Sequence, residues 1–204
     1  MNLEFYIKGL IIGLSIAAPV GPIGVLCIRR TLAYGRMVGL VSGLGAATAD
    51  GIYGLVAGFG LTVIMNFLIG QHFWIQLIGG FFLCYLGVKT LISKASYTQS
   101  DTQKKNIMNA FLSVLFLTLT NPMTILSFIA IFAGLGISNS NSNIVSSVIL
   151  VLGVFCGSSL WWVILSSGVG LFRARINDRS LTIINRLSGV IIIIFGGIAL
   201  YGLM

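Results

Sequence analysis

The chain has 204 residues, 57% of them apolar and only 8% charged, with a mean hydropathy of +1.05. Soluble domains carry roughly 25% charged residues, so the composition excludes a soluble globular domain and indicates an integral membrane protein. Net charge is +8, yet the basic residues cluster in the links between apolar runs, as the orientation signal of a membrane protein does, and no nucleic-acid partner is expected.

Apolar runs long enough to cross a bilayer as helices, about 20 residues each, recur along the chain. The alternation of a β-barrel is absent. Helices are predicted over residues 3–28, 38–64, 73–92, 109–135, 144–171 and 183–203, which gives one all-α integral membrane domain of six transmembrane helices.

The first run contains Ala17-Ala18-Pro19-Val20-Gly21-Pro22. Lys8 followed by Ser15-Ile16-Ala17 has the look of a signal peptide. The apolar character continues to Ile28 and stops at Arg29-Arg30, so a span is expected and no removed targeting segment. Proline lacks an amide donor, clashes with the preceding turn and biases its predecessor away from helical geometry. With Gly21 as cap and Pro22 as first helical residue, the stretch reads as the start of a new half-helix inside the membrane.

Asp50 is the carboxylate set well inside an apolar run, that of the second helix. An ionised Asp at such a depth costs roughly 2.5 to 3.5 kcal/mol on insertion scales, so it needs a polar cavity, a partner or a proton. Steps of three and four residues from it reach Gly39, Gly43, Ala46, Ala47, Tyr53, Gly54 and Ala57. Small residues let a neighbouring helix approach closely, so Asp50 is expected to point into the bundle. Its bland role is a hydrogen bond that locks two helices; its functional one is a site that exchanges a proton or meets a cationic group.

Basic residues alternate between links. Arg29, Arg30 and Arg36 follow the first helix, Lys89, Lys94, Lys104 and Lys105 the third, and Arg173, Arg175, Arg179 and Arg186 the fifth; the second and fourth links have neither Lys nor Arg. The positive-inside rule makes the first, third and fifth links cytoplasmic and puts both termini outside. His72, beside Trp74, falls in an external link and reads as solvated surface. Cys27, Cys84 and Cys156 lie in separate runs without metal-ligand or disulfide-carrier spacing, so no metal site is expected.

The polar link 94–108 divides the chain into halves 1–93 and 109–204. Gly80 and Gly87 align with Gly189 and Gly196, Gly58 and Gly60 with Gly168 and Gly170, and Pro19 with Pro122, in the same order and at similar offsets. Such matches predict an internal repeat. Three helices per copy invert the second copy, an arrangement in which the site lies between the copies at paired helix interruptions. The second interruption is Asn121-Pro122, with Asn121 as cap. The fold predicted is therefore two inverted three-helix repeats with broken first and fourth helices. A helix start favours an anion through its free amides and dipole, so both breaks are candidates for a substrate carboxylate. Thr118, Thr120, Thr124 and Ser127 are candidates to satisfy freed carbonyls or to line the path. In the fifth helix, Ser158, Ser159, Trp161 and Trp162 lie level with Asp50, the tryptophans facing either lipid or the cavity.

Enzyme templates fit poorly, since positioned nucleophile, base and acid partners are lacking. No Walker-type sequence for ATP is present, and no cofactor is expected. Gly-rich faces at Gly39, Gly43 and Gly54 suit packing within one chain or between two, which leaves a homodimer open.

Pro19-Val20-Gly21-Pro22, the basic link after it, Gly45-Ala46-Ala47-Thr48-Ala49-Asp50 and Asn121-Pro122, in that order and at this length, resemble the lysine exporter (LysE/RhtB) family of small bacterial transporters from about residue 5 to the end. The resemblance implies six helices in the bacterial cytoplasmic membrane and export of amino acids or related small solutes by exchange with protons. Ile23-Gly24 stands where many members have polar residues, and Met123 where many have Lys, so no single substrate carries over. The reading is a secondary active exporter working by alternating access, with Asp50, Pro19, Gly21, Pro22, Thr118, Asn121, Pro122, Thr124 and Trp161 as site residues. The alternatives are a non-transporting membrane assembly or scaffold subunit, and a divalent-cation exporter of the same superfamily, for which one intramembrane carboxylate is a thin donor set.

Overall fold

A computed structural model of the chain describes residues 2–19, 21–59, 67, 70–93, 103–134, 144–173 and 177–203. The helices in chain order are α1 (Asn2–Ala17), α2 (Pro22–Tyr34), α3 (Arg36–Gly58), α4 (His72–Leu91), α5 (Gln103–Leu119), α6 (Pro122–Gly134), α7 (Ile144–Phe172) and α8 (Asp178–Tyr201). No strand occurs among the described residues. Helices α3, α4, α7 and α8 are long and apolar enough to cross a membrane; α1 with α2 and α5 with α6 pass the same test as bent pairs, at 81° and 62°. The described residues are thus nearly all helical, with four helices able to cross a membrane, or six spans if each bent pair is one, as a multi-pass membrane protein has.

Several helix ends differ from the sequence-based prediction, each for a local reason. The first predicted helix stops at 28, whereas α2 runs on through Arg29 and Arg30 to Tyr34. It ends at Gly35, whose φ of 99° suits a residue without Cβ and whose N–H donates to the Thr31 carbonyl. Arg36 opens α3 directly, so the link is a single glycine. Helix α5 starts at Gln103, since Gln and Lys are good helix formers and extend it into the polar link. Helix α8 starts at Asp178 because the Asn177 side chain caps it, accepting from the Ser180 N–H at 2.8 Å. Gly60 and residues 94–102 of the long link lie outside the described residues.

Lipid tails are as apolar as the helices, so association rests on close packing, and glycines make the approach possible. Gly9 and Gly13 of α1 lie against the carbonyls of Leu150 and Val154 in α7. Gly153 and Gly157 of α7 lie in turn against those of Tyr6 and Leu10 in α1. Helices α4 and α8 pack in the same way and reciprocally: Gly80 approaches Gly196, and Gly87 approaches Gly189. Helix α3 packs on α5, with Gly45 at the Phe111 carbonyl, and on α7, with Gly43 under Trp162.

Helix α3 therefore has neighbours on most sides, and Ala46, Ala47, Ala49, Asp50 and Tyr53 are buried in it. Large apolar side chains such as Phe81, Leu126, Leu171 and Ile198 point outward, as a lipid-facing surface requires. A side chain at position 157 must push the α1 backbone away. We expect Gly157→Leu to lose about 1–3 kcal/mol of stability, read as a lowered unfolding temperature of the purified protein in detergent. Gly197→Ala, where nothing lies within 4 Å of an added Cβ, is expected to leave that temperature unchanged.

Candidate functional site

Asp50 is 3% exposed on α3. Its Oδ2 accepts a hydrogen bond of 2.7 Å from the Ser158 hydroxyl of α7, itself fully buried. The small residues one and two turns away allow this proximity: Ala46, Ala47 and Gly43 leave room for α7 to lie along α3. No cation pairs with Asp50 among the described residues, where the ion pair found is Lys8 with Glu4.

Tyr53, nearly one turn further along α3, reaches the second break. Pro122 has no N–H to give the Thr118 carbonyl, and that carbonyl instead accepts from Asn121 N–H at 3.2 Å. The next amide, of Met123, turns to the Asn121 side-chain oxygen at 3.1 Å, the capping bond expected of Asn121. The Leu119 carbonyl accepts from the Tyr53 hydroxyl at 2.6 Å. Thr118 donates to the Val114 carbonyl, and Thr120 to that of Phe116 and, at 3.4 Å, to that of Leu117, which the Asn121 N–H has left. Thr124 is buried in the first turn of α6, and Tyr53 packs on Phe128 with ring centroids 5.5 Å apart.

The first break packs against the same helix α3. Ala17 and Ile23, flanking it, share one cluster with Ala46, Ala47 and Trp162. Gly21 is extended and Pro22 opens α2, as the sequence implies, while Pro19 is exposed. Gly21 provides no side-chain cap. The two helix starts thus differ, α6 carrying its own cap and α2 lacking one.

On α7, Trp161 is half-buried at the edge of the cluster, and Trp162 is 3% exposed against Gly43. Three buried polar atoms of α7, Ser159 Oγ, Trp162 Nε1 and Ser166 Oγ, have no hydrogen-bond partner among the described residues. Buried polar atoms are ordinarily hydrogen-bonded, so each is open to a further partner. With Ser158, Trp162 and Ser166 repeat every four residues, on one helical face, from Asp50 toward Ser167, which accepts from Arg36 at 2.7 Å. Tyr53 and Ser166 were not legible as site residues from the sequence; the one signal for Tyr53 was its place on Asp50's small-residue face. Among the described residues no group of three His, Cys, Asp or Glu side chains lies together as a metal site would.

A bent-helix membrane bundle with a carboxylate buried between two of its helices has the features of a solute transporter. The comparisons specify which: the family model described as LysE type translocator matches residues 14–202, and the chain belongs to that family. It is 27% identical over 95% of its length, and 94% of the relative's, to the "Putative amino acid efflux protein YcgF" of Bacillus subtilis. It is also similar to the "Uncharacterized membrane protein YrhP" of the same organism, at 25% identity over 84% of this chain and 86% of that one. With YahN, an "Uncharacterized membrane protein" of Escherichia coli, it shares 28% identity over 82% of this chain and 76% of that one. No solved structure matches.

If Tyr53 closes the second break, Tyr53→Phe leaves the Leu119 carbonyl unsatisfied in a buried setting. The expected loss is about 1–3 kcal/mol, measured as a lower unfolding temperature in detergent, with faster hydrogen exchange at residues flanking Pro122.

Proposed function

We propose that the chain exports amino acids or related small solutes across the bacterial cytoplasmic membrane, in exchange for protons and by alternating access. The observation that carries this reading is Asp50, a carboxylate 3% exposed and held by one neutral hydroxyl. A carboxylate at that depth without a cationic partner needs a proton or a cationic ligand, and an exchanger presents those two in turn. The name of the Bacillus subtilis relative YcgF as an amino acid efflux protein supports the solute class.

The substrate's ammonium group and a proton compete for Asp50 in this scheme. Its carboxylate meets the start of α2 at Gly21-Pro22, where the first amides have no side-chain cap; at α6 the Asn121 side chain already takes an amide. The unpartnered Trp162 Nε1 and Ser166 Oγ continue a polar lane toward the end of the bundle that holds Arg36.

The inverted repeat belongs to the same reading. A twofold axis that exchanges Gly80 with Gly189 and Gly87 with Gly196 turns the contact of Gly80 with Gly196 into that of Gly189 with Gly87, and both contacts occur. It also exchanges the α1–α7 contact with the α5–α3 contact, and both occur. The axis makes the bent pairs α1–α2 and α5–α6 counterparts, so that two alternative packings of the halves are available for switching access. With the links that carry Arg29, Arg36 and Arg173 in the cytoplasm, both termini are outside.

In proteoliposomes loaded with amino acids, Asp50→Asn is expected to lose proton-coupled export entirely while retaining the wild-type elution profile. Coupled transport at the wild-type rate would end Asp50's role. A counterflow screen over amino acids, amines and metal ions names the solute; movement of none of them would favour a purely structural membrane subunit.

A further inference from the structure

Two arginines at the far end of α2 have no part in this scheme. Arg29 is 6% exposed, yet every hydrogen bond seen for it goes to a neutral group: Asn185 Oδ1 at 2.8 Å, the Ser93 hydroxyl at 2.6 Å and, more weakly, the Tyr34 hydroxyl at 3.5 Å. Arg30, half-buried, donates to the Ser42 hydroxyl at 3.0 Å, the Ala110 carbonyl at 2.9 Å and the Ser113 hydroxyl at 2.8 Å. Both flank a cavity of about 180 Å³ between α2, α4 and the start of α5, which Lys89, Tyr34, Ser93 and Asn109 also line. Three cations thus surround one space, and among the described residues no carboxylate pairs with any of them.

Burying a guanidinium costs several kcal/mol unless an anion and full hydrogen bonding offset it. Neutral acceptors take Nε and Nη2 of Arg29 and Nη1 and Nη2 of Arg30 without neutralising either charge. Positioning is also tight: Arg29 lies over the Tyr34 ring at 5.4 Å and Lys89 over the Tyr85 ring at 5.8 Å. Preset guanidinium forks suit planar or tetrahedral oxyanions. We propose that this cavity binds an anionic oxygen group, a carboxylate or a phosphate, between Arg29, Arg30 and Lys89. The site is separate from Asp50: Arg30 reaches α3 at Ser42, eight residues and about 12 Å along the helix from Asp50. The anion comes either from solution or from the head group of an acidic lipid, and the chemistry at the cations is the same for both.

The purified protein in phosphatidylcholine nanodiscs supplies the test, with inorganic phosphate replacing chloride at constant ionic strength. Phosphate is expected to raise the unfolding temperature. In Lys89→Gln, an exposed position whose loss does not endanger folding, the half-effective concentration should rise about threefold or more. In Arg30→Lys, which keeps the charge and loses the fork, it should rise about tenfold. If the natural occupant is a lipid, phosphatidylglycerol in the discs raises the unfolding temperature by itself and removes the response to phosphate, and Lys89→Gln weakens that effect too. If the occupant is a soluble anion, the response to phosphate is equal in both kinds of disc. The proposal is overturned if neither anion stabilises the wild type or if Lys89→Gln responds as the wild type does. It is equally overturned if phosphate acts only in Asp101→Asn, which would make Asp101, outside the described residues, the internal counter-ion. None of these readouts depends on transport, so failure here leaves the role of Asp50 standing, and the converse.

Discussion

Inside lipid no water is available to a free backbone carbonyl or amide, and the organisation around α3 follows from that constraint. The chain has three prolines, Pro19, Pro22 and Pro122, and all of them lie at the two helix breaks. At the second break three displaced groups find substitute partners: Thr118 carbonyl with Asn121 N–H, Met123 N–H with the Asn121 side chain, and Leu119 carbonyl with Tyr53. The last of these comes from α3, one turn from Asp50. A helix interruption and a buried carboxylate are thereby joined through one rigid element, so that displacement of either bears on the other.

Glycine and alanine have the complementary task. A bundle that must hold a carboxylate against a serine of another helix needs close axes; Gly43, Gly51 and Gly54 of α3 face α7 directly, and glycine contacts also join α1 with α7, α4 with α8 and α3 with α5. Close packing also accounts for one of the unpartnered polar atoms of α7. Trp162 is wedged over Gly43 with its ring nitrogen buried, which costs free energy unless something binds there. The same bundle gathers basic residues from the ends of separate helices, Arg29, Arg30 and Lys89 around one cavity and Arg36 on Ser167.

Much of this was legible in the sequence, because it depends on local chemistry. Gly21-Pro22 and Asn121-Pro122 interrupt helices through proline's missing amide, whatever the surroundings, and the small face beneath Asp50 turned it inward by spacing alone. Helix ends were less legible: α2 continues through Arg29 and Arg30, where charge suggested a link, because its real stop is the positive φ of Gly35. Helix α7 is apolar on nearly all sides, so periodicity gave no reason to prefer Trp162 to Trp161 as the inward side chain.

The sequence by itself determined a membrane bundle, two paired interruptions, a carboxylate among small residues and, through the order of those motifs, the family. Only the tertiary structure decided partners: Ser158 for Asp50, Tyr53 for the Leu119 carbonyl, Asn185 and Ser93 for Arg29. The physical reason is that breaks and burial are properties of neighbouring residues along the chain. A hydrogen bond between residues 50 and 158, or 29 and 185, depends instead on how closely helices distant in sequence can pack, which for residues 50 and 158 follows from Gly43, Gly51 and Gly54 of α3 facing α7.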